Sequence, residues 1–93
     1  MTGSGRTVQL RIRGQVQGVY YRAWTAEQAK RRGLRGWVKN RPDGSVEVLL
    51  HGAPEDVAEM IALLWEGPPD ARVSGVDIIH EGGAAPSGFA VLR

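Results

Sequence analysis

The sequence predicts an α+β fold, a four-stranded antiparallel sheet with two helices on one face and a short terminal edge strand. Three observations carry that prediction. Val8, Leu10 and Ile12 alternate with Gln9, Arg11 and Arg13, the period of a strand that buries one face and wets the other. Arg41, Pro42, Asp43 and Gly44 separate two strand-like stretches with turn chemistry. Val57, Met60, Ile61 and Leu64 keep the i, i+3, i+4, i+7 spacing of an amphipathic helix.

In chain order, the first strand runs into a glycine-bounded stretch, Gly14 to Arg22, and a helix follows from about Tyr21 to Arg32. Its apolar stripe of Tyr21, Trp24, Thr25 and Ala29 is loose, and Gly33 supplies a C-cap. Residues 34–40 and 45–51 form the two strands of the central hairpin. Pro54 opens the second helix, since its fixed φ and missing N–H suit a first turn, and Gly67, Pro68 and Pro69 end it. Val76 and Ile78 mark a fourth strand. A connection rich in Gly, Ala and Pro over 82–88 then leads to a short last strand at Phe89 and Val91. The order βαββαβ with a terminal edge strand is the ferredoxin-like split βαβ arrangement.

Ninety-three residues suffice for one core and not for two, so residues 1–93 are expected to form a single domain, with 1–5 a flexible N-terminus. The absence of cysteine excludes a disulfide framework, a thiolate metal site and a sulfur nucleophile, so any phosphate chemistry must use water or oxygen. Met1 to Arg6 is short and polar and no long apolar run follows, which points to a cytoplasmic chain with no membrane partner. A net charge of +2 is too small to argue for nucleic acid, and a compact monomer is the simplest expectation. Lys30, Arg31, Arg32 and Arg35 gather where cations complement a helix C-terminus.

The run GQVQGVYYR, Gly14 to Arg22, carries the chemistry. Two glycines four residues apart let the backbone curl so that the amides of Gln15, Val16, Gln17, Gly18 and Val19 converge on one anion. Arg22 falls in the first helical turn, where free N–H groups and the positive end of the dipole already favour negative charge. Its planar guanidinium grips two phosphate oxygens at once. GxxxxGK[ST] is absent, so no nucleotide-binding P-loop is expected. His51 and His80 lack neighbouring ligand patterns, and no catalytic metal is expected.

GQVQGVYYR, followed by GWVKN (Gly36 to Asn40) and PDGSVE (Pro42 to Glu47), closely resembles the acylphosphatases. The likeness continues through EGPPDARV (Glu66 to Val73) to the terminal GFAVLR (Gly88 to Arg93). It implies the same fold and the hydrolysis of a carboxyl-phosphate mixed anhydride, without cofactor or metal. It further implies that Arg22 and the Gln15 to Val19 amides bind the phosphoryl group and that Asn40 orients the attacking water. An acyl phosphate would be the substrate, and inorganic phosphate both product and competitive ligand. Arg32 departs from the family pattern, standing where an apolar residue is expected, and Tyr20 and Tyr21 stand where phenylalanines are common.

Two other classes of function fit the element order. An RNA-binding module needs aromatic stacking residues on the open face of the first and third strands, where the sequence places Gln9, Arg11, Arg13, Glu47, Leu49 and His51. A domain acting on carbamoyl phosphate, or one that binds a phosphorylated ligand without turnover, would retain the same loop.

Overall fold

The computed structural model describes residues 5–93. Its elements are β1 (Arg6–Gln15), α1 (Tyr21–Arg31), β2 (Arg35–Asn40), β3 (Val46–Gly52), α2 (Pro54–Glu66), β4 (Arg72–Glu81) and β5 (Phe89–Val91). All five strands share one sheet in the order β4-β1-β3-β2-β5. β1 pairs antiparallel with β3 and β4, and β2 antiparallel with β3, while β5 lies parallel to β2. The four antiparallel strands, two helices and edge strand are those the sequence predicts. The expected flexible N-terminus falls mainly on residues 1–4, which lie outside the described residues.

The core forms where the two periodicities meet. Val8, Leu10 and Ile12 of β1, Val38 of β2, and Val46, Val48 and Leu50 of β3 are fully buried. They pack with Tyr21 and Ala29 of α1 and with Val57, Met60 and Leu64 of α2. Each such Val, Leu, Ile or Met side chain contributes about 1.5–3 kcal/mol relative to exposure. Pro54 stands in the first turn of α2, and Gly67 follows its last residue with its N–H on the Leu63 carbonyl at 3.0 Å.

Two strands are longer than their sequence patterns. β1 and β4 each span ten residues, and their register slips between Gln9 and Leu10 and again between Arg13 and Gly14. Such bulges break strict alternation and increase local twist, which hides a strand from a period-two reading. Ile78 and Ile79 are accordingly both half-exposed.

The helix-free face of the sheet differs from its sequence reading. Glu47 and Leu49, expected there as open-face residues, are buried at 4% and 8% exposure. Arg41 Nη1 and Gln9 Nε2 both donate to the Glu47 carboxylate and cover it. Arg32 has a similar structural use. Its Nε lies 2.8 Å from Glu59 of α2 and its Nη1 donates to the Gln28 carbonyl at 3.0 Å, so a guanidinium replaces the expected apolar contact between helix ends.

Candidate active site

The glycine-bounded run divides between sheet and loop. Gly14 and Gln15 are the last residues of β1, opposite Val73 and Arg72 of β4. At Gly14, φ is 127° and a Cβ would stand 2.1 Å from the Arg72 carbonyl oxygen, so the sheet itself demands glycine there. Residues 16–20 make the loop proper. Val16, 1% exposed, anchors it in the core. Gly18 and Tyr20 both have φ of 74°, with Val19 between them outside the left-handed region. Alternation of this kind turns successive N–H groups toward one side and creates an anion nest.

The Gln17 side chain braces that loop. Its Nε2 donates to the carbonyl oxygens of Arg41 at 2.7 Å and Ser45 at 2.8 Å, on either side of the β2–β3 turn. The turn is locked in its own right, with Gly44 N–H donating to Arg41 O and Arg41 N–H to Ser45 O. Asp43 Oδ1 accepts from the Ser45 amide at 2.9 Å and its hydroxyl at 2.6 Å. These donors hold the Asp43 carboxyl below its usual range.

α1 begins directly after the loop, with Trp24 N–H donating to the Tyr20 carbonyl at 3.0 Å. No acidic side chain occupies its first turn, whereas α2 carries Glu55 and Asp56 there. The positive end of α1 is therefore left for an external anion, and Arg22, its second residue, adds a full charge. Arg22 Nη1 donates to the Leu92 carbonyl at 3.0 Å, which fixes the guanidinium while leaving other N–H groups for a ligand. Tyr21 turns inward. Its hydroxyl donates to the Leu64 carbonyl at 2.7 Å, and burial pushes its pKa well above that of an ordinary tyrosine.

Asn40 closes β2, opposite Val46. Its Oδ1 is buried and accepts no hydrogen bond from any described residue. A buried acceptor of this kind costs free energy unless something else donates to it, so it marks a place for a ligand or water.

Arg22 and Asn40 line one cavity of about 730 Å³, together with Val16, Gly18, Tyr20 and Val91. Arg93 adds a second guanidinium-bearing residue, and no Asp, Glu, Lys or His side chain lines the cavity. Among the sequence-derived candidates, Val16, Gly18, Arg22 and Asn40 thus converge. Gln15 sits at the strand end, Gln17 turns its side chain to the hairpin, and Val19 packs against the core. Trp24 leans on Tyr21 with ring centroids 5.6 Å apart, Trp37 lies under Lys39 Nζ at 5.2 Å, and neither reaches the cavity. His51 Nδ1 contacts Thr7 Oγ1 at 2.6 Å, at the end of β3 remote from Asn40.

Two side-chain contributions lie beyond the roles that the sequence assigns. Val91 and Arg93 reach the site because β5 pairs with β2 and Leu92 N–H donates to the Val38 carbonyl at 2.8 Å, a contact across more than fifty residues. The bracing side chain of Gln17 was hidden behind the reading of its amide. A cavity with these parts can hold a tetrahedral anion and order a water beside it, and it offers no carboxyl or imidazole side chain to move a proton.

Known proteins share this sequence pattern and this fold. The family model described as acylphosphatase matches residues 8–91. A Bradyrhizobium diazoefficiens protein named acylphosphatase is 59% identical over 69 residues, covering 74% of this chain and 70% of that protein. A Rhizobium meliloti acylphosphatase is 46% identical over 94 residues, covering 100% of this chain and 99% of its own. The solved structure of an acylphosphatase from Coxiella burnetii superposes with a TM-score of 0.91 at 34% identity, covering 99% of this chain and all of that one. With the match extending from β1 to the last residue of β5, this chain belongs to the acylphosphatase family.

Proposed function

We propose that the protein hydrolyses acyl phosphates to a carboxylate and inorganic phosphate by attack of an oriented water at phosphorus. One observation carries the reading: the buried, unpartnered Oδ1 of Asn40 shares a cavity with Arg22 and the nest. The Gln15 to Val19 amides and Arg22 cradle the phosphoryl group, and Arg22 follows its oxygens as charge redistributes in the transition state. Asn40 Oδ1 accepts a hydrogen bond from the water and aligns its oxygen with phosphorus. The water oxygen forms the new P–O bond as the P–O bond to the acyl group breaks. The electron pair leaves on the carboxylate, and the water proton passes to a phosphoryl oxygen.

The cavity's lack of a carboxyl or imidazole side chain fits this substrate. A carboxylate leaving group, whose conjugate acid has a pKa of about 4–5 by analogy with Glu, departs without a proton. An alkyl phosphate ester expels an alkoxide and calls for a carboxylic or imidazolium acid, which no side chain lining this cavity supplies. The same reading takes inorganic phosphate as product and competitive ligand and places a monomer in the cytoplasm, with no nucleic-acid partner. Among the described residues no helix is long and apolar enough to cross a membrane. Hydrolysis of benzoyl phosphate with chelator present, against an alkyl phosphate monoester, tests the reading. Selective turnover of the acyl phosphate is expected; phosphate binding without turnover would favour a ligand-binding domain.

A further inference from the structure

Apart from glycines, Tyr20 alone among the described residues has a left-handed backbone, with φ of 74°. A Cβ in that conformation crowds its own carbonyl, and glycine or asparagine carries it at less cost. Packing does not repay the difference. Tyr20 is 80% exposed, more than any other large apolar side chain described, and its ring pairs with no other aromatic ring. The anion nest accounts for that backbone; the large aromatic it holds in solvent is left open to a contact that arrives from outside the chain.

The position says what arrives. Tyr20 follows the nest, precedes α1, and lines the same cavity as Arg22 and Asn40. Val91, 48% exposed, lines that cavity from β5. With a phosphoryl group in the nest, the acyl carbon and its substituent must extend out of the cradle toward the cavity wall. Two exposed apolar side chains on that wall cannot serve a phosphate, which is wholly polar; they suit the acyl group. We infer that Tyr20, with Val91, forms an apolar platform for the acyl substituent, so that the protein selects acyl phosphates with aromatic or bulky apolar acyl groups over acetyl phosphate. This rests on the acyl-phosphate reading above and extends it to the part of the substrate that the phosphate loop does not touch.

The test compares kcat/KM for benzoyl and acetyl phosphate in the wild-type chain, Tyr20→Phe and Tyr20→Asn. Asparagine tolerates the left-handed backbone, so this variant removes the ring while respecting the loop. Expressing selectivity as a ratio between proteins cancels the different intrinsic reactivities of the two anhydrides. Tyr20→Asn is expected to lower the benzoyl-to-acetyl ratio about three- to ten-fold, the usual worth of one aromatic contact, through KM rather than kcat. Tyr20→Phe is expected to keep the wild-type ratio. Inhibition by inorganic phosphate, which has no acyl group, separates the ring from the loop. An unchanged ratio in Tyr20→Asn overturns the inference, as does a loss shared equally by benzoyl phosphate, acetyl phosphate and inorganic phosphate. Wild-type protein that turns over neither acyl phosphate overturns the acyl-phosphate reading with it, whereas turnover of both with an unaltered ratio removes the platform alone.

Discussion

Gln17 Nε2 lies 2.7 Å from the carbonyl oxygen of Arg41, so the side chain of the phosphate loop is bonded to the residue that follows Asn40. The two halves of the proposed site, loop and β2 end, are therefore held in register by one amide in addition to the loop's anchorage in the core through Val16. Both acceptors keep a second partner, Gly44 N–H on Arg41 O and Arg41 N–H on Ser45 O, so removing Gln17 strands no buried carbonyl. Gln17→Ala should then cost only about 1 kcal/mol of stability, a fall of about 4–8 °C in Tm. Its larger effect should be a loss of kcat, since a misplaced water costs rate steeply. Thermal melting alongside steady-state kinetics checks both; an unchanged kcat would detach the brace from catalysis.

The two glycines of the run should separate on substitution. Gly14→Ala drives a Cβ to 2.1 Å from the Arg72 carbonyl between β1 and β4, and should cost about 3 kcal/mol or more in unfolding free energy. At Gly18 a Cβ meets nothing within 4 Å, so Gly18→Ala should cost only about 1–2 kcal/mol from its φ of 74°. Its defect should show in phosphate affinity. Denaturant unfolding and phosphate inhibition distinguish the two, and equal stability losses would be inconsistent with this division.

Arg22→Ala and Asn40→Ala should fail differently. Losing Asn40 removes the acceptor for water but none of the phosphate donors, so kcat should fall about 10²- to 10³-fold with inhibition by inorganic phosphate little altered. Losing Arg22 should weaken phosphate inhibition and lower kcat together. Matching inhibition constants for Arg22→Ala and wild type would remove Arg22 from the cradle.

Tyr21 gives a pH signature. Its pKa is raised by burial in the folded chain, above the unfolded value of about 10, so the folded state holds this proton more tightly. The stabilisation is fully present below pH of about 10 and is lost as pH climbs toward the folded value, with a slope of up to about 1.4 kcal/mol per pH unit. Tyr21→Phe should be less stable near neutrality by about 1 kcal/mol, because the Leu64 carbonyl loses its donor. It should lose stability less steeply above pH of about 10. Parallel alkaline unfolding profiles for the two proteins would contradict this.

The legible parts of the fold were those with a local period. α2 reads cleanly because Val57, Met60 and Leu64 fall on one buried stripe, and the hairpin reads because Pro42, Asp43 and Gly44 dictate a turn. β4 reads poorly because its bulged register against β1 interrupts alternation. Glu47 lies on the helix-free face, as its place in the alternation dictates, but its burial is not legible there because its cover comes from Arg41 and Gln9, the latter on another strand. In the site, Gly18, Arg22 and Asn40 could be named from two motifs, since each motif is short and continuous. The Leu92 carbonyl on Arg22, and the arrival of Val91 and Arg93, depend on parallel pairing of β5 with β2, which leaves no mark in either segment. The need for glycine at position 14 is equally silent in the sequence, because the approach of the Arg72 carbonyl that imposes it belongs to the far end of the chain.

Hydrolysis of benzoyl phosphate in water enriched in heavy oxygen tests the central claim most directly. Attack at phosphorus by a water held on Asn40 predicts that the label appears in inorganic phosphate and not in benzoate. Label in benzoate would place the attack on the acyl carbon, and the proposed roles of Asn40, Arg22 and the nest would not stand.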